Sequence, residues 1–492
     1  MLPSTLQYTT MTDTPHPTAS RNTSASTVPL LPATQDSEEA PPHLCTLSKR
    51  NVFGSLFSRT LPKYSGPYPV GVRDVELSIP TETFGDFRHK SMPNVSAGLS
   101  IDTVLFSLFY PAEIDPKTKN KNVVWFPRLA QTVDGFIRMA NRMPNCVYRT
   151  VAYPAAAAAI WGTTFPGMQD APLKNPPEEG QKWPIIIFSH GVGCSRLMYS
   201  SFCGEMASRG YIVAAVEHRD GTGPSCRVTN EHGDTKDLPW VQWSDLEWSE
   251  TAQQPMNDTT LRHVQLEVRK AEVHHVLEAF RKISRGVRVR ENTAGARQEG
   301  KRRAGAGAGT GADYDWSRWT AIDVEKPIVA GHSFGGTLAI AAGDDNRFNW
   351  THVVAFDPAV QRLPGLDPWH GKIKAPLLVI NSEEYCFGRE FPILVQDIMP
   401  SAESADMFII PGSTHPAFSD VFLILPDYIN RLTGLSVNPL AVIDHTIDTT
   451  WKFVRGCLGT VVNDEKLRVV RGMKLTRGEV GPVGELVSWV PA

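Results

Sequence analysis

The chain has 492 residues, and its 49 basic and 52 acidic side chains leave a formal net charge of -3. A nearly neutral chain in which 41% of the residues are hydrophobic is typical of a globular protein with a sizeable core, and this excludes a fibrous or largely disordered protein. The charge balance gives no basis for nucleic acid as a partner. No apolar stretch approaches the roughly eighteen residues of a transmembrane helix.

Residues 1–60 are predicted to form a disordered head, because this stretch is too polar to bury a core. Nineteen of its first 40 residues are Ser, Thr or Pro, and it has neither the basic start nor the apolar centre of a secretory signal. The seven cysteines are scattered without a Cys-x-x-Cys pair, which favours reduced thiols over zinc ligation or a disulfide framework. Together these features predict a cytoplasmic location.

Folded structure is predicted from residue 61 onward. The runs Val104–Tyr110 and Val123–Phe126 predict the first two strands. Residues 136–161 then combine alanine with methionine, valine and aromatic side chains. Two interpretations of this segment stay open: a lid or lipid-contacting surface, and a packed part of the core.

From Pro184 onward, short apolar runs alternate with helical stretches such as Leu261–Phe280. Runs without polar alternation are typical of strands covered on both faces. Helices between them predict an α/β fold with a mostly parallel, doubly wound sheet. The runs are 185–188, 212–216, 328–330, 352–356, 377–380 and 407–410.

Two further segments are predicted to lie outside this pattern. Residues 281–312 hold nine basic side chains followed by a run of glycine and alanine. They are interpreted as a flexible insertion rather than a nucleic-acid or lipid patch, because no aromatic residues are interleaved. Residues 466–492 are predicted to be a C-terminal tail.

The segment Pro327–Ala342 carries the motif with the clearest chemistry. An apolar strand runs into Gly331-His-Ser333-Phe-Gly335, and a helix of small residues follows. This pattern is typical of a nucleophile elbow, a strained strand-to-helix turn that holds a serine hydroxyl above the sheet at a helix N-terminus. Ser333 is therefore the predicted nucleophile.

A serine hydroxyl needs a base to become nucleophilic, and the base needs an orienting carboxylate. In this type of fold the acid and then the histidine follow the serine, each after a later strand. Asp357 fits, because it directly follows the run 352–356 and precedes a proline. Glu383 also follows a predicted strand and is the main alternative. The remaining acidic alternatives are Asp344, Asp345 and Asp367.

His415 is the predicted base, because it lies in the loop directly after the run 407–410 and before an apolar helix. The other histidines after Asp357 are His370 and His445. His370 precedes a strand and His445 lies in a late polar segment, so both are interpreted as surface residues.

The oxyanion of a tetrahedral intermediate needs two fixed N–H donors. One is predicted at the backbone of Phe334, directly after the nucleophile. The other is predicted at Val192, in the loop after the run 185–188, where glycines let the backbone approach a substrate closely. The His190 side chain is interpreted as structural, and the charged residues 217–220 as an ion-paired network that fixes loops.

Five segments in order along residues 62–460 point to a known family. They are Gly66–Gly71 (GPYPVG), Phe188–Arg196 (FSHGVGCSR), Tyr211–Gly223 (YIVAAVEHRDGTG), Ala330–Gly336 (AGHSFGG) and Gly412–Asp420 (GSTHPAFSD). Together they resemble the platelet-activating factor acetylhydrolases, which include a plasma enzyme, also called lipoprotein-associated phospholipase A2, and an intracellular type II enzyme.

The resemblance implies an α/β-hydrolase domain over residues 61–465. It also implies calcium-independent hydrolysis of a short or oxidised acyl group at the sn-2 position of phospholipids, through an acyl-serine intermediate. No metal or organic cofactor is implied, and the partners are a phospholipid or small ester and, transiently, a membrane surface. The implied site residues are Ser333 as nucleophile, Asp357 as acid, His415 as base, and the backbone amides of Val192 and Phe334.

Two other functions are compatible with the sequence. One is a general carboxylesterase that acts on soluble esters. The other is a non-catalytic binding module with the same fold, against which the intact serine, aspartate and histidine argue.

Overall fold

The computed structural model of the protein describes residues 59–90, 98–114, 122–140, 142, 145–238, 240–249, 257–292, 314–366, 369–462, 467–473 and 475–491. The predicted head lies outside these ranges up to residue 58. The glycine- and alanine-rich run of the predicted insertion and the alternative acid Asp367 also lie outside them.

The described residues form strands and helices that alternate along the second half of the chain. The strands are β1 (Val70–Phe84), β2 (Phe87–His89), β3 (Leu99–Pro111), β4 (Val123–Val124), β5 (Thr164–Phe165), β6 (Met168–Gln169), β7 (Trp183–Ser189), β8 (Ile212–Glu217), β9 (Cys226–Thr229), β10 (Thr235–Leu238), β11 (Leu246–Trp248), β12 (Ile322–His332), β13 (His352–Phe356), β14 (Leu377–Ser382), β15 (Ala405–Ile410), β16 (Arg468–Arg471) and β17 (Val487–Val490). The helices are α1 (Leu129–Met139), α2 (Cys146–Ile160), α3 (Ser200–Ser208), α4 (Asp258–Ser284), α5 (Phe334–Asp344), α6 (Glu390–Ile393), α7 (Val421–Ile424), α8 (Asp427–Leu432), α9 (Pro439–Val454) and α10 (Gly459–Val462).

Eleven strands form one sheet in the order β16-β17-β15-β14-β13-β12-β7-β8-β3-β1-β6. Its centre, from β15 to β8, is entirely parallel. Strand β3 joins this centre antiparallel at one side, and β17 does so at the other. The predicted α/β class with a mostly parallel sheet is confirmed.

The central strands are buried on both faces, which explains their continuous apolar runs. In β7, Ile185 and Ile187 pack into the hydrophobic cluster on one face, and Ile186 and Phe188 pack into the cluster on the other. Residues of α4 and α5 fill the first cluster, and residues of α3 and α9 fill the second. The sheet is therefore covered by helices on both sides, as a doubly wound fold requires.

The C-terminal segment is part of this sheet, contrary to the predicted tail at 466–492. Strand β17 pairs with β15, and β16 pairs with β17. Trp489 is buried against the first cluster. The Gly478 N–H donates a hydrogen bond to Glu383 Oε1 at 2.7 Å, which ties the segment to the loop after β14.

The predicted insertion begins later than residue 281. Helix α4 continues to Ser284, and the chain then returns to the edge of the sheet. There Glu291 pairs with Arg73 at 2.6 Å, and the Asn292 N–H donates to the Glu76 carbonyl at 2.8 Å. Residues 281–292 therefore belong to the folded domain.

The parallel centre brings the ends of four strands to one edge. Strands β7, β12, β13 and β15 all run in the same direction. The loops that follow them leave the sheet at its carboxyl edge, where α/β folds of this kind place their ligand sites. Among the described helices, none combines the length and the hydropathy that a bilayer crossing demands.

Candidate active site

Ser333 lies in a strained turn between β12 and α5. Its φ of 57° and ψ of -121° are conformations that residues other than glycine seldom adopt. The flanking glycines make this turn possible. A Cβ on Gly331 would lie 2.2 Å from the Gly335 carbonyl oxygen, and a Cβ on Gly335 would lie 2.0 Å from that of Ser189. The local geometry is that of a nucleophile elbow.

His415 reaches Ser333 from the loop after β15. Its Nε2 lies 3.0 Å from Ser333 Oγ, and its Nδ1 lies 3.1 Å from Asp357 Oδ2. Both distances are those of hydrogen bonds, with Nδ1–H donating to the carboxylate and Nε2 accepting from the hydroxyl. The structure thus brings together the three side chains predicted to form the triad.

Asp357 is held rigidly at the end of β13. Its side chain is fully buried, and its φ of 42° turns the chain sharply after the strand. Oδ1 accepts a hydrogen bond from the Ser382 N–H at 2.7 Å, and Oδ2 accepts one from the Ser382 hydroxyl at 2.6 Å. Burial raises the pKa of the Asp357 carboxyl, and the hydrogen bonds from His415 and Ser382 oppose this rise.

Burial and neighbouring charges act in opposite directions on His415. Burial disfavours the imidazolium form, but the hydrogen bond to Asp357 and the charges of Asp357, Glu384 and Glu390 favour it. The second effect is larger, so the pKa of His415 lies above its ordinary value. This histidine is therefore prepared to take up a proton from the neighbouring hydroxyl.

The alternative acids within the described residues have other partners. Glu383 accepts hydrogen bonds from the Gly412 and Gly478 N–H groups, at 2.6 and 2.7 Å, and so fixes two loops. Asp344 accepts from the Lys372 N–H, and Asp345 pairs with Arg347 at 2.7 Å.

The alternative bases also lie apart from the nucleophile. His370 is exposed at the surface. The Nε2 of His445 is 2.9 Å from the Gly484 carbonyl oxygen and donates to it. Among the described residues, His415 is the histidine bonded to Ser333.

Both predicted oxyanion donors border Ser333. Phe334 is the first residue of α5, and the first N–H groups of a helix have no acceptor within that helix. Val192 follows Gly191, where an added Cβ would lie 3.1 Å from the Cβ of Ser333. The Gly193 N–H donates to the Thr222 carbonyl at 2.8 Å, which fixes the loop just after Val192.

A second histidine, which the sequence analysis does not single out, connects the base to this loop. His332 Nε2 donates to the His415 carbonyl at 3.0 Å, and its Nδ1 accepts from the Tyr199 hydroxyl at 2.8 Å. Tyr199 in turn accepts from the Gly191 N–H at 3.2 Å. Burial holds the pKa of His332 well below its usual range, so the ring stays neutral. The position directly before Ser333 in the motif is the signal that could have identified it.

The charged residues after β8 form a buried network, as their clustering predicted. Glu217 pairs with Arg196 at 2.8 Å, Arg219 with Glu76 at 2.6 Å, and Asp220 with Arg269 at 2.6 Å.

His218 completes this network. Its Nδ1 is 2.6 Å from Glu272, and its Nε2 is 2.7 Å from the Ser189 hydroxyl. Burial raises the pKa of Glu272 to about 8 and lowers that of His218. The network lies beneath the loop that carries Val192.

Three of the site residues offer ligand atoms of the kind that bind metals. One atom each from His332, Asp357 and His415 lies within 4.8 Å of the others. Each of these groups is already engaged: both His332 nitrogens are hydrogen bonded, and Asp357 and His415 bond to each other. A metal ion here would have to replace these hydrogen bonds, so the arrangement fits proton transfer better than metal binding.

Helix α1 lies beside the loop that carries Val192, and helix α2 contacts α1 through the ion pair of Arg149 with Asp134. A Cβ on Gly193 would come within 2.6 Å of the Met139 Cε at the end of α1. Helix α1 buries one face, whereas none of the 15 residues of α2 is buried. Val147 and Val151 of α2 are 68% and 72% exposed. Core packing therefore does not describe α2.

The fold and this array of side chains define the protein as an α/β-hydrolase with the arrangement of a serine hydrolase site. The family described as platelet-activating factor acetylhydrolase, isoform II, matches residues 53–468. The chain belongs to this family, and the resemblance noted from its motifs is confirmed.

Relatives agree with this assignment. A platelet-activating factor acetylhydrolase from Gallus gallus is 28% identical over 312 residues, which cover 61% of this chain and 66% of that protein. The chain thus spans just under two thirds of the chicken protein's length. A putative phospholipase A2 from Schizosaccharomyces pombe is 32% identical over 176 residues, 34% of this chain and 35% of that protein.

A solved structure shares the fold. A ferulic acid esterase from Streptomyces cinnamoneus has a TM-score of 0.50 and 16% sequence identity, with coverage of 82% of this chain and 92% of the esterase chain. At this identity the likeness supports the α/β-hydrolase fold alone.

Proposed function

We propose that the protein is a calcium-independent serine esterase that hydrolyses short or oxidised sn-2 acyl esters of phospholipids. The observation that carries the proposal is the hydrogen-bonded array Ser333–His415–Asp357, found at the carboxyl edge of the sheet in a chain that belongs to the platelet-activating factor acetylhydrolase family. The names of the chicken and fission yeast relatives support an ester of a phospholipid as the substrate.

In the proposed reaction, Ser333 Oγ attacks the ester carbonyl carbon while His415 Nε2 takes the hydroxyl proton. The carbonyl oxygen becomes an oxyanion that accepts hydrogen bonds from the Val192 and Phe334 N–H groups. The intermediate then expels the lysophospholipid alkoxide, which receives the proton from His415. Water, deprotonated by His415, hydrolyses the acyl-serine by the reverse path and regenerates the hydroxyl. Asp357 holds the imidazole in the tautomer that this sequence requires.

The base gives the reaction a predictable pH dependence. His415 must be neutral in the free enzyme to accept the serine proton, and its pKa is raised above the ordinary value of about 6.5. We therefore expect kcat/KM to fall toward low pH with a midpoint above about 6.5. The measurement is a pH profile of kcat/KM on a neutral ester. A midpoint clearly below that of a free histidine would contradict the role given to Asp357.

The exposed apolar side chains of α1 and α2 support a transient membrane contact. Val147 and Val151 lie one turn apart on α2. Phe136 of α1 and Trp161, directly after α2, are also exposed, at 39% and 57%. A short helix with exposed valine and aromatic side chains can rest in the interface of a bilayer. Because α1 contacts Gly193, a lipid held at these helices would be close to the loop that carries Val192.

A cleft beside the same loop has a lining that suits an amphiphilic molecule. It is open to solvent and is lined by Trp125, Phe126 and Leu197 together with Arg196 and Glu217. None of the three triad residues lines it. Ser195 also lines the cleft and lies three residues after Val192. The Cα atoms of these two residues are therefore at most about 11 Å apart.

The cysteines support the proposed cytoplasmic location. The six cysteines among the described residues are all free thiols. Cys203, Cys226 and Cys386 are buried, and burial raises the pKa of the Cys226 thiol to about 12, which keeps it protonated. A set of unpaired thiols fits a reducing compartment.

The test of substrate class is a hydrolysis profile across phosphatidylcholines whose sn-2 chain lengthens from acetyl to palmitoyl, each with and without a chelator. We expect the rate to fall as the chain lengthens and the chelator to leave every rate unchanged. Naphthyl esters of the same acyl lengths are the control. Faster hydrolysis of the naphthyl esters at every length would favour a general carboxylesterase, and a chelator-sensitive rate would overturn the metal-free mechanism.

A further inference from the structure

Arg269 is a fully buried arginine in the middle of α4, beneath the site. Its Nε donates to Asp220 Oδ2 at 2.6 Å, and this ion pair compensates the buried charge. The other guanidinium nitrogens do not end on side-chain carboxylates. They donate to the groups that hold the loop of one proposed oxyanion donor, and the face of the guanidinium lies against the side chain of the residue that carries the other.

The first segment is the loop of Val192. Hydrogen bonds connect Arg269 to this loop both before and after Val192. NH1 donates to the His190 carbonyl at 2.7 Å, two residues before Val192. NH2 donates to the Thr222 hydroxyl at 2.7 Å, and the carbonyl of the same threonine accepts from the Gly193 N–H. The residues on each side of the Val192 peptide are thus fixed to one cation.

The second segment is the start of α5. The guanidinium carbon of Arg269 lies 4.5 Å from the centre of the Phe334 ring, which is a cation–π contact in a region without solvent. Phe334 carries the other proposed donor. The Ser189 hydroxyl also accepts from NH1, at 3.2 Å. The other neutral partners are His190 and Thr222, which hold the loop of Val192, and the ring of Phe334 itself.

An arginine is suited to this position because its planar group presents five N–H donors in a fixed fork. A lysine would keep the charge but offers a single nitrogen, which cannot reach Asp220, His190 and Thr222 in these three directions at once. The geometry therefore depends on the guanidinium and not on positive charge alone.

We propose that Arg269 is a positioning residue for the oxyanion hole, which sets the spacing between the Val192 and Phe334 N–H groups. This inference rests on the proposed serine-esterase function. The arginine touches neither substrate nor reacting atoms and acts through the two backbone segments that it joins. Its loss should weaken binding of the transition state more than binding of the ground-state ester.

The test compares Arg269→Lys with Arg219→Lys. Arg219 is a matched control, since it is also a buried arginine of the same network but bonds to Glu76 and the Glu217 carbonyl. For Arg269→Lys we expect kcat to fall by about 10²-fold, the cost of a small misplacement at a reacting centre, with KM within about threefold of the wild type. Arg219→Lys should lower Tm about as much as Arg269→Lys does, but it should keep kcat within a few fold of the wild type.

A transition-state analogue separates positioning from general loosening. A trifluoromethyl ketone forms a bond from Ser333 Oγ to its carbonyl carbon, the proton moves to His415, and the carbonyl oxygen becomes an oxyanion in the hole. Its affinity should fall in Arg269→Lys by the same factor as kcat/KM. The proposal is overturned if the two lysine variants lose kcat equally, or if the loss in Arg269→Lys lies in KM while the analogue binds as tightly as before.

A second variant decides the matter if Arg269→Lys does not fold. Thr222→Val keeps the shape and the carbonyl that holds Gly193, but removes the hydroxyl that links the guanidinium to this loop. We expect kcat to fall about tenfold with little change in KM, and an unchanged kcat would refute the inference. Hydrolysis by the wild type and by Arg219→Lys tests the esterase function separately. If neither is active, the proposed function fails, whereas a normal rate in Arg269→Lys beside an active wild type defeats only the inference.

Discussion

Replacing Ser333 with alanine should lower kcat by about 10⁶-fold, which is the size of effect known for the loss of a serine nucleophile. The alanine has no oxygen to attack the ester, so no acyl-enzyme can form. The initial burst of p-nitrophenol from p-nitrophenyl acetate should disappear, and a fluorophosphonate probe should no longer label the protein. The strained φ of 57° at this position is retained by the fold, because Gly331 and Gly335 still provide the room for the turn.

Ser200→Ala is a matched control for this substitution. Ser200 is also a buried serine with a short hydrogen bond, from its hydroxyl to Asp420 Oδ2 at 2.7 Å, but it begins α3 instead of the elbow. Its kcat should stay within a few fold of the wild type. Turnover in folded Ser333→Ala comparable to that of Ser200→Ala would show that another residue is the nucleophile, and it would exclude the mechanism proposed above.

The triad could be predicted from the sequence because Ser333 and Asp357 directly follow strands of the parallel centre and His415 lies in the loop after another. Such strands are buried on both faces, so their apolar runs are easy to recognise. A rule about which strand carries which residue then selects Asp357 and His415. The elbow adds a local constraint. Positions 331 and 335 must be glycine, because a Cβ at either one would lie within 2.5 Å of a backbone atom.

The supporting residues could not be predicted in this way. Helix α4 was expected to present apolar residues to the sheet, yet its buried face also contains Gln265, Arg269 and Glu272. Hydrophobic periodicity does not detect buried polar residues, which become favourable only through partners far away in the chain. Arg269 and Asp220 are 49 residues apart, and His332 and Tyr199 are 133 residues apart.

The C-terminal strands were missed for a related reason. Strand β17 has only four residues, Val487–Val490, and lies in a stretch rich in glycine and charged residues. Its place in the sheet comes from pairing with β15 and from Trp489 in the core. Antiparallel pairing between such distant segments leaves no local pattern in the sequence.

Replacing Asp357 with asparagine should lower kcat by about 10⁴-fold, the size of effect expected when a histidine loses its orienting carboxylate. Asparagine fills the same space, but its amide N–H can donate a hydrogen bond to His415 Nδ1. This favours the tautomer in which Nε2 carries the hydrogen. In that tautomer the imidazole cannot accept the proton of Ser333. The buried pocket makes the effect severe, because Asp357 is fully buried and no water can replace it.

The pH profile of the same variant provides an independent readout. The hydrogen bond and charge of Asp357 are the main causes that raise the pKa of His415, against the opposing effect of burial. Without them, burial remains, so the acid limb of the residual activity should move to lower pH. An acid limb at the wild-type position would show that another group supplies the charge.

Glu383→Gln tests whether Asp357 or Glu383 is the acid of the triad, since both carboxylates follow a strand. Glu383 accepts hydrogen bonds from the Gly412 and Gly478 N–H groups, so its loss should loosen the C-terminal segment and lower Tm. The fall in kcat should be no more than about tenfold, since the bond between His415 and Asp357 remains. The opposite pattern, near-normal kcat in Asp357→Asn and a loss of several orders of magnitude in Glu383→Gln, would make Glu383 the acid. The hydrogen bonds of Ser382 to Asp357 would then have only a structural role.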